Sequence, residues 1–171
     1  MTVTATLGID PGSIRAGYAV AHRNAGTMEA PDLIAAGLVT APAARPITER
    51  VRSIADDLLK IAYDLDRLDE IVIELPSKHA PHRGQSRSGQ ALYGYGVGYL
   101  HAALAREGSW PITTTNPAEW TAGVVKRIRQ ASIAALYDEN GYNASDDRGA
   151  DAADALGLIL WHHHNQLAAS L

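Results

Sequence analysis

Leu7-Gly8-Ile9-Asp10-Pro11-Gly12 is the stretch from which the fold can be read. The alternating run Thr2-Val3-Thr4-Ala5-Thr6-Leu7 leads into it, a pattern of period two that predicts a strand over 3–10. Pro11-Gly12 stops that strand and turns the chain. Asp10 is therefore left as a carboxylate at a strand's C-terminal tip. Ala16-Gly17-Tyr18-Ala19-Val20-Ala21 reads as a second strand, antiparallel to the first through the turn, and 33–40 as a third.

After an Ala-Pro-rich loop at 41–46, the order of elements changes character. Thr48 is a candidate helix N-cap, and Val51, Ile54, Ala55, Leu58, Leu59 and Ala62 keep helical spacing. Ile71 to Glu74 is short and apolar, as strands covered on both faces are. A second helix is expected from about 89 to 106, a fifth strand over 112–115, and a helix start at Asn116-Pro117. A helix near 129–139, a polar loop over 140–148 and a last helix over 150–164 complete the chain. Three strands followed by alternating helices and strands predict an α/β fold: a five-stranded mixed sheet with helices on both faces. At 171 residues the expectation is one domain, 1–171. No apolar run approaches the ~18 residues of a membrane span, and no basic leader precedes the first strand, so neither a membrane partner nor a signal peptide is expected. The absence of cysteine removes disulfides and thiolate chemistry and agrees with a cytoplasmic protein.

Three element ends carry acids. Asp10 closes the first strand, Glu74 closes Ile71-Val72-Ile73 just before Pro76, and Asp151 and Asp154 lie three apart in a helix, on one face. Such a set suggests a divalent metal held on oxygen ligands. Taken singly, each acid has a plainer reading: a turn residue, a strand end, or a solvated helix face. However, Ala150, Ala152, Ala153, Ala155, Leu156 and Leu158 make the last helix apolar nearly all round, and an acidic pair on a buried helix needs a compensating partner. Asp146 and Asp147 read as loop and cap residues. His162-His163-His164 point in different directions on a helix, so they are taken as helix-end residues favourable to the macrodipole.

The net charge of −4 argues at first against a nucleic-acid partner, but the charges are segregated. Residues 75–106 contain no acid and carry Lys78, His79, His82, Arg83, Arg87, His101 and Arg106. Residues 120–137 again lack acids and carry Lys126, Arg127 and Arg129. The acids gather at Asp56, Asp57, Asp64, Asp66, Asp69 and Glu70. Segregation of this kind permits a basic face on an acidic protein.

These residues carry a family resemblance. Gly8-Ile9-Asp10-Pro11-Gly12-Ser13 followed by Gly17-Tyr18-Ala19-Val20 resembles the opening hairpin of RuvC, the Holliday-junction resolvase among the RNase H-like nucleases. Val72-Ile73-Glu74, then Gly89-Gln90-Ala91, then Asp151-Ala152-Ala153-Asp154-Ala155-Leu156 with His162 resemble its later motifs, in the same order. The resemblance implies an RNase H-like fold. It also implies that Asp10, Glu74, Asp151 and Asp154 bind two Mg²⁺ ions, for which Mn²⁺ can substitute, and cleave branched DNA by phosphodiester hydrolysis. Lys78, His79, His82, Arg83, Arg87, Lys126, Arg127 and Arg129 are the expected DNA contacts. The helix over 89–106, where Gly94, Gly96 and Gly98 alternate with tyrosines, corresponds to the family's two-fold dimer interface and implies a homodimer.

The sequence departs from the pattern in two places. Ser77 stands where the family has an aromatic residue, and the chain has no Phe. Thr121 falls near a family lysine, and Lys126, Arg127 and Arg129 compete for the role of a second. Phage members of the family show this kind of mixture. Two other activities share much of the reading: a RuvX-type nuclease acting on structured RNA, and a non-catalytic junction-binding protein. The first phosphate loop of actin-like ATPases also resembles residues 8–12, but those proteins need two lobes and a second phosphate motif.

Overall fold

The computed structural model describes residues 3–24, 27, 29–76, 87–137, 142–147 and 149–169. Its elements are β1 (Val3–Asp10), β2 (Arg15–Asn24), β3 (Asp32–Thr40), α1 (Ile47–Asp64), β4 (Glu70–Glu74), α2 (Arg87–Glu107), β5 (Ile112–Thr115), α3 (Pro117–Trp120), α4 (Lys126–Tyr137) and α5 (Asp151–Ala169). The strands form one five-stranded sheet in the order β3-β2-β1-β4-β5. β1–β2 and β2–β3 are antiparallel, whereas β1–β4 and β4–β5 are parallel. This is the mixed sheet expected from the order of elements. None of the described helices is long and apolar enough to cross a membrane.

Strand alternation sorts the side chains into two layers. Leu7 and Ile9 of β1 and Ile71 and Ile73 of β4 pack against Ile54, Ala55 and Leu58 of α1 and Val97, Leu100 and Leu104 of α2. On the other face, Ala19 and Ala21 of β2 meet Ile133 and Tyr137 of α4 and Ala152, Ala155, Leu156 and Ile159 of α5. Val72, Trp120 and Leu158 form a third cluster. The same parity puts Thr6, Gly8 and Asp10 of β1, and Glu70, Val72 and Glu74 of β4, on the α5 face.

Two glycines bring α5 onto the sheet. A Cβ at Gly17 would lie 2.0 Å from the Asp151 carbonyl oxygen, and one at Gly8 would lie 2.3 Å from that of Ala155. Only a residue without a side chain lets the helix backbone approach this closely. Because Gly17 pairs with Asp10 across the β1–β2 ladder, the contact that seats the first turn of α5 also delivers its acids beside Asp10.

Some boundaries differ from the sequence reading. Thr48 is not the cap of α1: Pro46 occupies that position, without a side-chain hydrogen bond, and Ile47 begins the helix. Proline's fixed φ lets it lead into a helix without any side-chain cap. The fourth helix begins at Lys126 rather than near 129, so it carries all three candidate cations from its first turn. Helix α5 runs on to Ala169, because nothing in Asn165-Gln166-Leu167-Ala168 stops it. His162 and His163 are therefore buried mid-helix rather than at the helix end, too far from the C-terminus to interact with the macrodipole there.

Gly17→Ala is expected to lower the thermal midpoint by about 3–10 °C, the effect of ~1–3 kcal/mol of overpacking in a chain of this size. Circular-dichroism melting measures this, and an unchanged midpoint would show that α5 does not need the close approach.

Candidate active site

Asp10 and Glu74 end neighbouring parallel strands. The β1–β4 ladder runs from Thr6↔Glu70 to Ile9↔Ile73, and the two acids follow one residue later on the face covered by α5. Asp151 and Asp154 occupy the first turn of α5. Asp147 fixes that turn: its Oδ1 accepts from the backbone N–H groups of Asp151 (2.9 Å) and Ala152 (3.2 Å), and its Oδ2 from Ala153 (2.9 Å). The cap expected of this residue is present, and Tyr142 donates a further hydrogen bond to it at 2.9 Å. The four acids foreseen from the sequence thus converge on one end of the sheet.

Cations knit them together. The Lys126 ammonium stands 2.7 Å from Asp151 Oδ1, 2.9 Å from Asp154 Oδ2 and 3.7 Å from Asp10 Oδ2. The Arg129 guanidinium donates to both oxygens of Asp154, at 2.9 and 3.0 Å, in a fork. Arg15 pairs with Asp151. Of the three cations that compete in the sequence, Lys126 and Arg129 face the acids, and Arg127 is exposed on α4.

Electrostatics reflect the crowding. Burial, then the negative charge of Glu74, push the Asp10 carboxyl well above its ordinary value, and Lys126 only partly opposes this. Burial also raises Glu74, while a hydrogen bond from Trp120 works against the rise. Burial and the nearby charges of Glu74, Asp10 and Asp151 push the Tyr93 phenol far above the usual range. Carboxylates so placed require positive charge. The donor set is all oxygen and mostly buried, which suits a hard divalent cation. Among the described residues, no three His, Cys, Asp or Glu side chains are gathered tightly enough to hold an ion as they stand; Lys126 and Arg129 supply the compensating charge.

Sequence reasoning missed Arg15, Tyr93 and Trp120. Trp120 donates its indole N–H to Glu74 Oε2 at 2.6 Å. Arg15, five residues after Asp10 in the hairpin, had a detectable signal in its position; Tyr93 and Trp120 had none. Lys78, His79, His82 and Arg83, together with Ser77, lie outside the described residues, as does the side chain of Arg87 at the start of α2. The three histidines of α5 diverge. His162 meets Glu70 at 3.0 Å, His163 is buried with its pKa lowered by burial and by Arg23, and His164 is exposed.

Comparison with known proteins agrees with this geometry. The family model described as crossover junction endodeoxyribonuclease RuvC matches residues 6–75. A crossover junction endodeoxyribonuclease RuvC from Frankia alni is 31% identical over 91% of this chain and 76% of its own length. The chain belongs to the RuvC family. The Maricaulis maris RuvC is also 31% identical, over 96% of this chain and 93% of its own. Thermus thermophilus RuvC, solved in complex with a Holliday junction substrate, superposes with a TM-score of 0.70 at 20% identity, covering 96% of both chains. The RNase H-like fold implied by the opening hairpin is therefore the fold of this RuvC-family chain.

At the far end of β4 the same face carries a different acid. Glu70 accepts from Thr6 (2.8 Å) and Gln166 (2.9 Å) and faces His162. Burial raises its pKa, but the bonds from His162, Thr6 and Gln166 outweigh that and draw it down from 4.5 to about 2. A depressed carboxyl contributes stability that is complete above its unfolded pKa and is lost as pH falls toward its folded one. Urea midpoints are thus expected to drop between pH 4.5 and 2 in the wild type. Glu70→Gln should be less stable at pH 6 and should lack this part of the acid slope; parallel curves for the two proteins would exclude the linkage.

Proposed function

We propose that this RuvC-family chain is an endodeoxyribonuclease that cleaves branched DNA, Holliday junctions and related forms, with Asp10, Glu74, Asp151 and Asp154 as its metal-binding acids. The observation that carries the reading is the convergence of these four carboxylates, Asp154 buried and the others partly so, at the C-terminal ends of β1 and β4 and the first turn of α5. They would hold two Mg²⁺ ions, with Mn²⁺ as a substitute. Bound there, such a pair would supply an activated water and stabilise the leaving 3′ oxygen of an in-line displacement. Lys126 and Arg129 act from the rim. Lys126, in exchanging carboxylate partners for a scissile phosphate, would orient it and screen the charge that builds on it, while Arg129 keeps its fork on Asp154. Arg15 holds Asp151 from the opposite side.

Residues 1–171 are read as one nuclease domain, since the core clusters on both faces share one sheet. A DNA substrate places its work in the cytoplasm. Lys78, His79, His82, Arg83, Arg87, Lys126, Arg127 and Arg129 are proposed as the DNA contacts, with phosphate rather than base readout dominating. Ser77 cannot stack as an aromatic residue would, a contribution of ~1–3 kcal/mol per base. Three-way junctions and flaps should therefore be cut alongside four-way junctions. Asp10→Asn, Glu74→Gln and Asp154→Asn should each reduce cleavage by orders of magnitude while leaving junction binding and the fold intact, and Asp151→Asn should behave similarly. The assay compares four-way, three-way, flap, duplex and structured-RNA substrates in Mg²⁺. Wild-type turnover in any of the first three variants would refute the site, and equal cutting of plain duplex would refute the branched-DNA specificity.

We further infer a homodimer through α2. Val97, Leu100 and Leu104 turn into the core, but Leu92 and Tyr95 are about half exposed, and a Cβ at Gly94 or Gly98 would meet nothing within 4 Å. Packing within the chain explains only Gly96, which abuts Val51. Glycines cost about 1 kcal/mol each in a helix interior, and a second copy approaching closely on this face accounts for retaining them. A two-fold axis there would present two sites for paired cuts. Gly98→Arg should halve the mass seen by analytical ultracentrifugation; a monomeric wild type would refute the dimer.

A further inference from the structure

Trp120 is 8% exposed, yet it is more than core filling. Its ring lies in a notch of α5 made by Gly157, where a Cβ would come within 2.7 Å of the indole. Val72 and Leu158 pack against it. Asn116 caps the short helix that carries it, accepting from the Ala118 N–H at 3.0 Å, and Thr115 ties that helix to β5 through Glu119. From this fixed seat the indole N–H donates to Glu74 at 2.6 Å. The Arg129 guanidinium carbon lies 4.8 Å from the centre of the ring, and the same guanidinium forks Asp154.

We propose that Trp120 is a positioning residue that fixes two of the four acids at once: Glu74 directly, and Asp154 through Arg129. The inference rests on the metal-site reading given above. A carboxylate can swing about its side-chain torsions, and one strong donor selects a single orientation. An arginine seated on an aromatic face keeps its fork aimed, because the ring holds the cation without competing for its N–H groups. Phenylalanine in this place keeps most of the packing and a ring for Arg129 but removes the donor to Glu74. Leucine removes both.

The experiment compares Trp120→Phe, Trp120→Leu and wild type by junction-cleavage kinetics, by calorimetric titration of the DNA-free protein with Mn²⁺, and by thermal melting. For Trp120→Phe, the loss of one hydrogen bond to a charged group should lower kcat about 10- to 100-fold. It should also weaken Mn²⁺ binding several-fold, with KM for the junction nearly unchanged. Trp120→Leu should lose more of both. Wild-type kcat and Mn²⁺ affinity in folded Trp120→Phe would overturn the proposal and leave Trp120 as packing alone. A measurement on wild-type protein does not depend on a folded Trp120 variant: Mg²⁺ should shift the indole N–H resonance of Trp120, assigned by elimination with Trp110→Phe and Trp161→Phe. An unmoved resonance at saturating Mg²⁺ would also overturn it. Glu74→Gln and Asp154→Asn separate the two levels. If they cut normally, the acid site itself is wrong; if they are dead while Trp120→Phe is normal, only the positioning role fails.

Discussion

The close approach of α5 to the sheet is the constraint on which the rest depends. Two side chains of hydrogen, at Gly8 and Gly17, let the helix backbone come within contact distance of β1 and β2. A methyl group at either position would push the helix outward. The acids of its first turn would then part from those on the strand tips, and Lys126 could no longer reach three of them at once. Packing and chemistry are thus set by the same contacts.

Much of this was legible in the sequence, and the reasons are physical. Asp10 and Glu74 each follow an apolar run and precede proline, which marks a strand end with a carboxylate on it. Asp151 and Asp154 stood out because acids on an all-round apolar helix need partners. Period-two alternation placed the first strands, and helical spacing placed the buried side of α1. What stayed hidden was long-range. Nothing local announces that Trp120 reaches Glu74 across 46 residues, or that His162 meets Glu70 across 92. Helix ends were read least well where no strong stop was written: α5 passes the three histidines, and α1 starts at a proline rather than at a capping hydroxyl.

Four carboxylates in one place create an electrostatic problem, and the chain answers it with cations drawn from separate elements. Arg15 comes from β2, and Lys126 and Arg129 from the first turn of α4. Burial first, and neighbouring negative charge after it, still raise Asp10 and Glu74. An acid cluster in which negative charge outweighs positive attracts cations, and the proposed metal site rests on that property.

The two glutamates of β4 show how little of a residue's character lies in the residue. Glu70 and Glu74 share a strand, a face and a side chain, four positions apart. One is surrounded by donors that draw its pKa down to about 2; the other is raised by burial first and by the charge of Asp154 after it, and holds its proton more readily. A single strand thereby carries an acid held by donors at one end and, at the other, an acid whose charge burial opposes, the one proposed for the chemistry.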